Sequence, residues 1–263
     1  MITSTQNAKV KWVRSLVNNR QARQKSKAFV AEGVRLVEEG LYTNVQALLA
    51  FYTDEIGERG QEIIEVFSSS GVPVEEISSQ VMKSTSDTQT PQGILVVFQT
   101  PTLPLPQPLD FVFIADRVRD PGNLGTVLRT AAAVGVDSVI LSPKSVDPYA
   151  PKVVRAAMGA HFRLPIIEIS WDEISEHIRD NDLRVFLAAA DKGTIYNQVD
   201  YKKSLAIVVG GEVAGVSEAA RNLADEWVRI PMPGGGESLN ASVAAAILMY
   251  EVIRQRKLTY TLP

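Results

Sequence analysis

The sequence predicts an α/β protein: a small N-terminal α/β domain, then a larger domain built on a mostly parallel sheet. Three observations carry that expectation. Apolar runs at 111–115, 138–142 and 205–211 have the length and composition of buried strands. Helix-like segments separate such runs, and wholly apolar strands alternating with helices fit a parallel sheet covered on both faces. Between the two parts, PTLPLPQP at 101–108 carries four prolines in eight residues. Proline removes backbone donors and favours extended chain, as in a semi-rigid linker. The expected division is therefore 1–100, a linker at 101–109, and 110–263.

Taken in order, the first part reads as a helix near 7–20, a strand at 29–31, a helix at 34–41 and a strand at about 45–52. A helix near 58–70 and a strand at 94–98 close it. Beyond the linker come a strand at 111–115 and a helix at 123–135, with Asn123 as its N-cap and Gly135 as its stop. A strand at 138–142, a helix near 151–158, a strand at 164–169 and a helix near 171–180 follow. Strands at 185–190 and 205–211, a helix at 217–224 and a strand ending at Ile230 lead to the final helix. That helix holds eight consecutive apolar residues, 243–250, so it is expected to be buried nearly all round, on its own core and on a partner.

Composition narrows the class. No segment reaches the roughly 18 apolar residues of a membrane span, and MITSTQNAKVKW lacks a signal-peptide core. The absence of cysteine excludes disulfides and thiolate zinc sites and fits a cytoplasmic protein. His161 and His177 read as surface or packing residues, and no metal is expected. The net charge of −3 gives no global sign of nucleic acid. Yet Lys9, Lys11, Arg14, Arg20, Arg23, Lys25 and Lys27 form a run without a single acid, an expected RNA-contact surface. Trp12 within it reads as core.

Ligands in parallel sheets bind beyond the carboxyl ends of strands, which directs attention to three loops. The first, DRVRDPGNLGTVLRT at 116–130, has turn glycines and a helix N-terminus, and leaves Arg129 beside an apolar run, where it would face a polar cavity or a charged partner. The second, VVGGEVAGVS at 208–217, delivers Gly210 and Gly211 and then Glu212, glycines that fit close approach by a flat ligand. The third, 231–240, is glycine-rich and ends on Ser238 and Asn240, helix caps and plausible ligands.

Together these residues resemble the SpoU (TrmH-like) family of RNA ribose 2′-O-methyltransferases of the SPOUT superfamily. Its first motif, an Asn followed six residues later by an Arg, matches Asn123 and Arg129; its second matches Gly210, Gly211, Glu212 and Gly215. Its third, I-P-M-x-G-x-x-x-S-L-N-x-S-V-A, matches 230–244. FVAEGVRLVEEGL at 29–41 is similar to the stretch that opens the small, ribosomal-protein-like RNA-binding domain of ribosomal-RNA members. The resemblance implies a trefoil knot, a homodimer with its active site near the interface, and S-adenosylmethionine bound by Gly210, Gly211, Ile230, Met232 and Leu239. It implies Asn123, Arg129, Glu212, Ser238 and Asn240 as catalytic-site residues. Transfer RNA as substrate, or a non-catalytic RNA-binding scaffold on the same fold, are the alternatives; a nicotinamide oxidoreductase lacks its G-x-G-x-x-G here.

Overall fold

The computed structural model describes residues 1–211 and 215–256. The first stretch of chain forms α1 (Ala8–Asn18), α2 (Arg20–Ser26), β1 (Ala28–Glu32), α3 (Val34–Leu41), β2 (Ala47–Tyr52), α4 (Glu58–Ser69), β3 (Val74–Glu76), α5 (Ser79–Thr85) and β4 (Ile94–Gln99). Then come β5 (Phe111–Asp116), α6 (Pro121–Val134), β6 (Ser138–Leu141), α7 (Pro151–Ala157), β7 (Ile166–Glu168), α8 (Trp171–Asp180) and β8 (Arg184–Ala189). The last are β9 (Thr194–Ile195), β10 (Leu205–Gly210), α9 (Glu218–Leu223), β11 (Glu226–Arg229) and α10 (Ala241–Arg256). Two compact units result: 1–102 with 147–163, and 103–146 with 164–263.

In the first unit the sheet order is β1-β4-β2-β3, antiparallel except for β2 beside β3. Strand period decides which side chains go where. Phe29, Ala31, Val96 and Phe98 face the layer of α3 and α4, while Val30, Leu95 and Val97 face α1 and α5. The helix expected near 7–20 is α1; a second helix that the sequence pattern did not offer, α2, follows directly, because Asn19 is extended (φ −133°, ψ 118°) and its side chain caps α2 through the N–H groups of Gln21 and Ala22. β3, α5 and, in the other unit, β9 had no counterpart in the sequence pattern; at 3, 7 and 2 residues they are too short for a period to register.

The segment 147–163, expected within the second domain, packs in this first unit instead. Aromatic packing draws it there: Tyr149 and Phe162 lie 5.2 Å and 5.7 Å from Phe29, ring centre to ring centre, and Phe162 lies 5.0 Å from Phe98. His161 is buried among the same rings, its Nε2 2.7 Å from the Pro148 carbonyl oxygen.

The second unit holds a seven-stranded sheet, order β7-β6-β5-β10-β8-β11-β9, parallel throughout. β5 has β6 on one side and β10 on the other, so strand order reverses there, the place where such sheets open a crevice. α10 packs on α6 and β10, and Ile174 of α8 and Ala220 of α9 join Val112, Val185 and Leu187 in a core cluster. Asp120, not Asn123, is the N-cap of α6: its carboxyl accepts from the Asn123 N–H at 2.8 Å. Pro121 then fills the first helical turn, where a missing N–H costs nothing, and Gly135 (φ 74°) ends the helix as expected. α10 is not buried all round within one chain. Val243 and Tyr250 are 47% and 56% exposed. Among the described residues no helix is long and apolar enough to cross a membrane.

Candidate active site

A cleft of about 360 Å³ opens in the second unit beyond the carboxyl ends of β8, β10 and β11. Gly210, Gly211, Ile230, Met232, Ser238 and Leu239 line it, and α10 adds Ala241, Ala244 and Leu248. All five residues expected to hold the methyl donor therefore meet at one cavity, although they are spread over 30 positions of sequence.

Close packing explains the paired glycines. Just beyond β10, Gly211 and Gly215 form an antiparallel bridge. A Cβ on Gly210 would stand 2.7 Å from Val216 Cγ1 and 2.9 Å from the Gly215 carbonyl carbon. On Gly211 it would stand 2.3 Å from the carbonyl oxygen of Arg117. Backbone thus approaches backbone here, and any side chain would push the loops apart.

Asp116, fully buried at the end of β5, supports this wall. Its Oδ1 accepts from Ser142 Oγ at 2.9 Å and its Oδ2 accepts from the Ser217 N–H at 2.5 Å. The backbone carbonyl of Asp116 accepts from Gly211 N at 2.9 Å, and Arg117 donates to the Gly215 carbonyl at 3.2 Å. One strand end so fixes both sides of the loop that follows β10. The sequence pattern did not single out Asp116, though an acid closing a wholly apolar strand is the available signal.

A second polar cluster sits where α6 and α10 begin. Asn240 Nδ2 donates to Asn123 Oδ1 at 2.9 Å, and Ser242 Oγ donates to Asn240 Oδ1 at 2.6 Å. Asn240 Oδ1 also accepts from the N–H groups of Ser242 (2.9 Å) and Val243 (3.3 Å), which makes it the cap of α10. Ser238 lines the cleft. Arg129 is exposed on α6, about 9 Å along the helix axis from Asn123, and does not line the cleft of its own chain. Glu212 lies outside the described residues.

The basic run is less uniform than its sequence suggests. Arg23 is buried, with Nε and Nη2 donating to Asp147 Oδ2 at 2.8 and 2.6 Å and Nη1 to the Val17 carbonyl at 3.1 Å. It is a packing residue, not part of an open RNA face. Lys9 pairs with Glu75, and Arg14 donates to the Ser84 carbonyl and hydroxyl at 3.1 and 2.9 Å. Arg20 is half-buried at the start of α2, and Lys11, Lys25 and Lys27 are exposed. Trp12 packs at the edge of the cluster under α1.

The SpoU rRNA Methylase family matches residues 110–250, and the MRM3-like substrate binding domain matches residues 7–96. The chain belongs to the SpoU rRNA methylase family. It is 33% identical to the 23S rRNA (guanosine(2553)-2′-O)-methyltransferase RlmP of Bacillus subtilis, over 95% of this chain and 98% of that one. It is 32% identical to the human mitochondrial rRNA methyltransferase 3, over 92% of this chain and 71% of that one. Among solved structures it superposes on an AdoMet-bound rRNA methyltransferase from Sinorhizobium meliloti with TM-score 0.87 at 30% identity, covering 98% of both chains. The AdoMet complex of the SpoU methyltransferase AviRb from Streptomyces viridochromogenes gives 0.86 at 26% identity, over 97% of this chain and 100% of that one. As a SpoU methylase, the protein is an S-adenosylmethionine-dependent RNA methyltransferase. Glycine and apolar side chains supply most of the cleft's lining, as a site for a largely flat nucleoside ligand requires.

Proposed function

We propose that this enzyme methylates a ribose 2′-hydroxyl of ribosomal RNA. The observation that carries the proposal is the placement of the Asn123–Asn240 pair at the foot of the same helix, α10, whose Ala241, Ala244 and Leu248 line the donor cleft. A polar group that can orient a hydroxyl is thereby held near a cleft that can hold the donor. The 2′-oxygen attacks the sulfonium methyl in line, the carbon–sulfur bond breaks, S-adenosylhomocysteine leaves, and the hydroxyl proton passes to solvent or a nearby base. The donor's positive sulfur already activates the methyl, so the chain's task is positioning and proton removal. Asn123, Ser238, Asn240 and Glu212 build and orient the site. Arg129, charged at any useful pH, binds the phosphate beside the target ribose and orients its hydroxyl.

The first unit, which carries the substrate-binding domain match at 7–96, holds the RNA, with Lys11, Lys25 and Lys27 supplying exposed cations. The enzyme works as a homodimer through α10, supported by the outward-facing Val243 and Tyr250. The knot implied by the family is part of the same proposal, the chain after β11 being threaded through a preceding loop. A cytoplasmic location is part of the same proposal, supported by the match along almost the whole chain to the bacterial enzyme RlmP. Mapping 2′-O-methylation in total RNA with and without the gene tests the proposal. Loss of a methyl group from one ribosomal nucleotide is expected. Loss confined to transfer RNA would favour the transfer-RNA alternative, and no loss together with no donor binding would favour a scaffold.

A further inference from the structure

Two charged side chains on the rim of the cleft are left without partners. Asp191, just beyond β8, and Arg221, on α9, both line it. Among the described residues neither makes a hydrogen bond or ion pair, and they do not pair with each other. Lys192 differs: its Nζ stands 3.6 Å from the centre of the Trp227 ring, held by a cation–π contact. Among the described residues that line the cleft, Arg221 is thus the cation left available, and Asp191 is the corresponding anion.

Opposite charges in one cleft attract each other. Here they sit on separate elements without pairing, so among the described residues a free charge of each sign stands on the rim of a cleft lined chiefly by glycine and apolar side chains. That pattern is complementary to a molecule with a flat, weakly polar end and a zwitterionic end. S-adenosylmethionine has this form: adenine at one end, an α-amino acid at the other. We infer that Arg221 and Asp191 form the subsite for the donor's amino-acid tail, Arg221 binding its α-carboxylate and Asp191 its α-ammonium. The guanidinium fork matches a carboxylate in two parallel hydrogen bonds, which a lysine in its place would not supply. The inference rests on this cleft being the donor site, and it adds a function for residues outside the three family motifs.

Calorimetric titration with three ligands provides the test: S-adenosylmethionine, S-adenosylhomocysteine, and 5′-deoxy-5′-methylthioadenosine, which keeps the nucleoside but lacks the amino-acid tail. Arg221→Gln is expected to weaken the first two about tenfold and to leave the third within about twofold. Asp191→Asn is expected to show the same selectivity with a smaller loss. Both changes are on exposed side chains, and unchanged melting temperatures would confirm intact folding. Equal losses for all three ligands, or none for any, would overturn the subsite. So would an Arg221→Gln enzyme with normal donor affinity and weakened RNA binding, which would assign the cation to a phosphate instead. Failure of the wild-type chain to bind any of the three would instead remove the cleft as donor site.

Discussion

The side-chain amide of Asn240 works from both ends: Nδ2 donates to Asn123 Oδ1 at 2.9 Å, while Oδ1 caps α10 through Ser242 and Val243. A single residue thereby joins the start of α6 to the start of α10. The two functions separate by mutation. Asn240→Ala loses both and is expected to cost about 1–2 kcal/mol of stability as well as activity. Asn240→Asp keeps an acceptor for the cap but replaces the donor by a carboxylate facing Asn123 Oδ1. It should unfold in urea close to wild type and transfer methyl groups at least about tenfold more slowly. Normal turnover in Asn240→Asp would detach the pair from catalysis.

Arg129 stands exposed on α6, off the cleft of its own chain. If it orients the target ribose, Arg129→Ala should lower methyl transfer to RNA by about a hundredfold while calorimetry finds donor affinity unchanged. Arg129→Lys retains a charge without the planar fork and should recover only part of the rate. Near-normal turnover in Arg129→Ala would remove it from the mechanism.

The lining of the cleft was legible in the sequence because its walls are contiguous segments: Gly210 with Gly211, and the loop from Ile230 to Leu239. Their chemistry, glycine where backbone meets backbone, is written locally. Asp191, Arg221 and Asp116 were not legible, because their positions depend on strand order placing the ends of β5, β8, β10 and β11 side by side. Arg23 misled for the same reason. In sequence it belongs to an uninterrupted basic run, and its acid partner, Asp147, lies 124 residues away. The Asn123 cap failed differently: Asp120–Pro121 is the stronger start signal, and it sits three residues earlier.

The Arg23–Asp147 pair gives a stability prediction. The two side chains are only 8% and 12% exposed, so removing one leaves a charge in a dry environment. Asp147→Ala should destabilise the protein by about 3 kcal/mol in chemical denaturation. The double variant Arg23→Met with Asp147→Leu should lie closer to wild type than either single change, because no unpaired charge remains. A loss below about 1 kcal/mol in Asp147→Ala would mean that water reaches the pair.

His161 gives the pH dependence. Burial holds its pKa down at about 4 against an ordinary 6.5, outweighing the Pro148 carbonyl that favours the charged form. Between those values the unfolded chain binds a proton that the folded chain refuses, so stability rises with pH across that window. It is fully present above about pH 6.5 and is lost as pH falls toward 4. The full swing is on the order of 3 kcal/mol. Urea unfolding at several pH values should show this slope in wild type and a flatter one in His161→Phe, which keeps an aromatic ring against Phe29 and Tyr149. Parallel slopes in the two proteins would assign the acid sensitivity to other groups.

On α10 the apolar side chains Val243, Ile247 and Tyr250 follow at helical spacing and form a stripe along one face. Val243 and Tyr250 stand about half exposed, while Leu248, Met249 and Val252 fill the core on the opposite side. In the proposed homodimer this stripe would meet its own copy across a two-fold axis, each residue contacting its counterpart's neighbourhood. Placing a charge in such a contact repels the partner twice over, once from each copy. Tyr250→Glu is therefore expected to sediment as a monomer where wild type sediments as a dimer, with its melting temperature lowered only slightly if the core side of α10 is intact. Because Arg129 lies off the cleft of its own chain, the monomer should also lose methyl transfer while retaining donor binding. A wild-type chain that stays monomeric at tens of micromolar, or a Tyr250→Glu chain that stays dimeric and active, would move the interface away from α10.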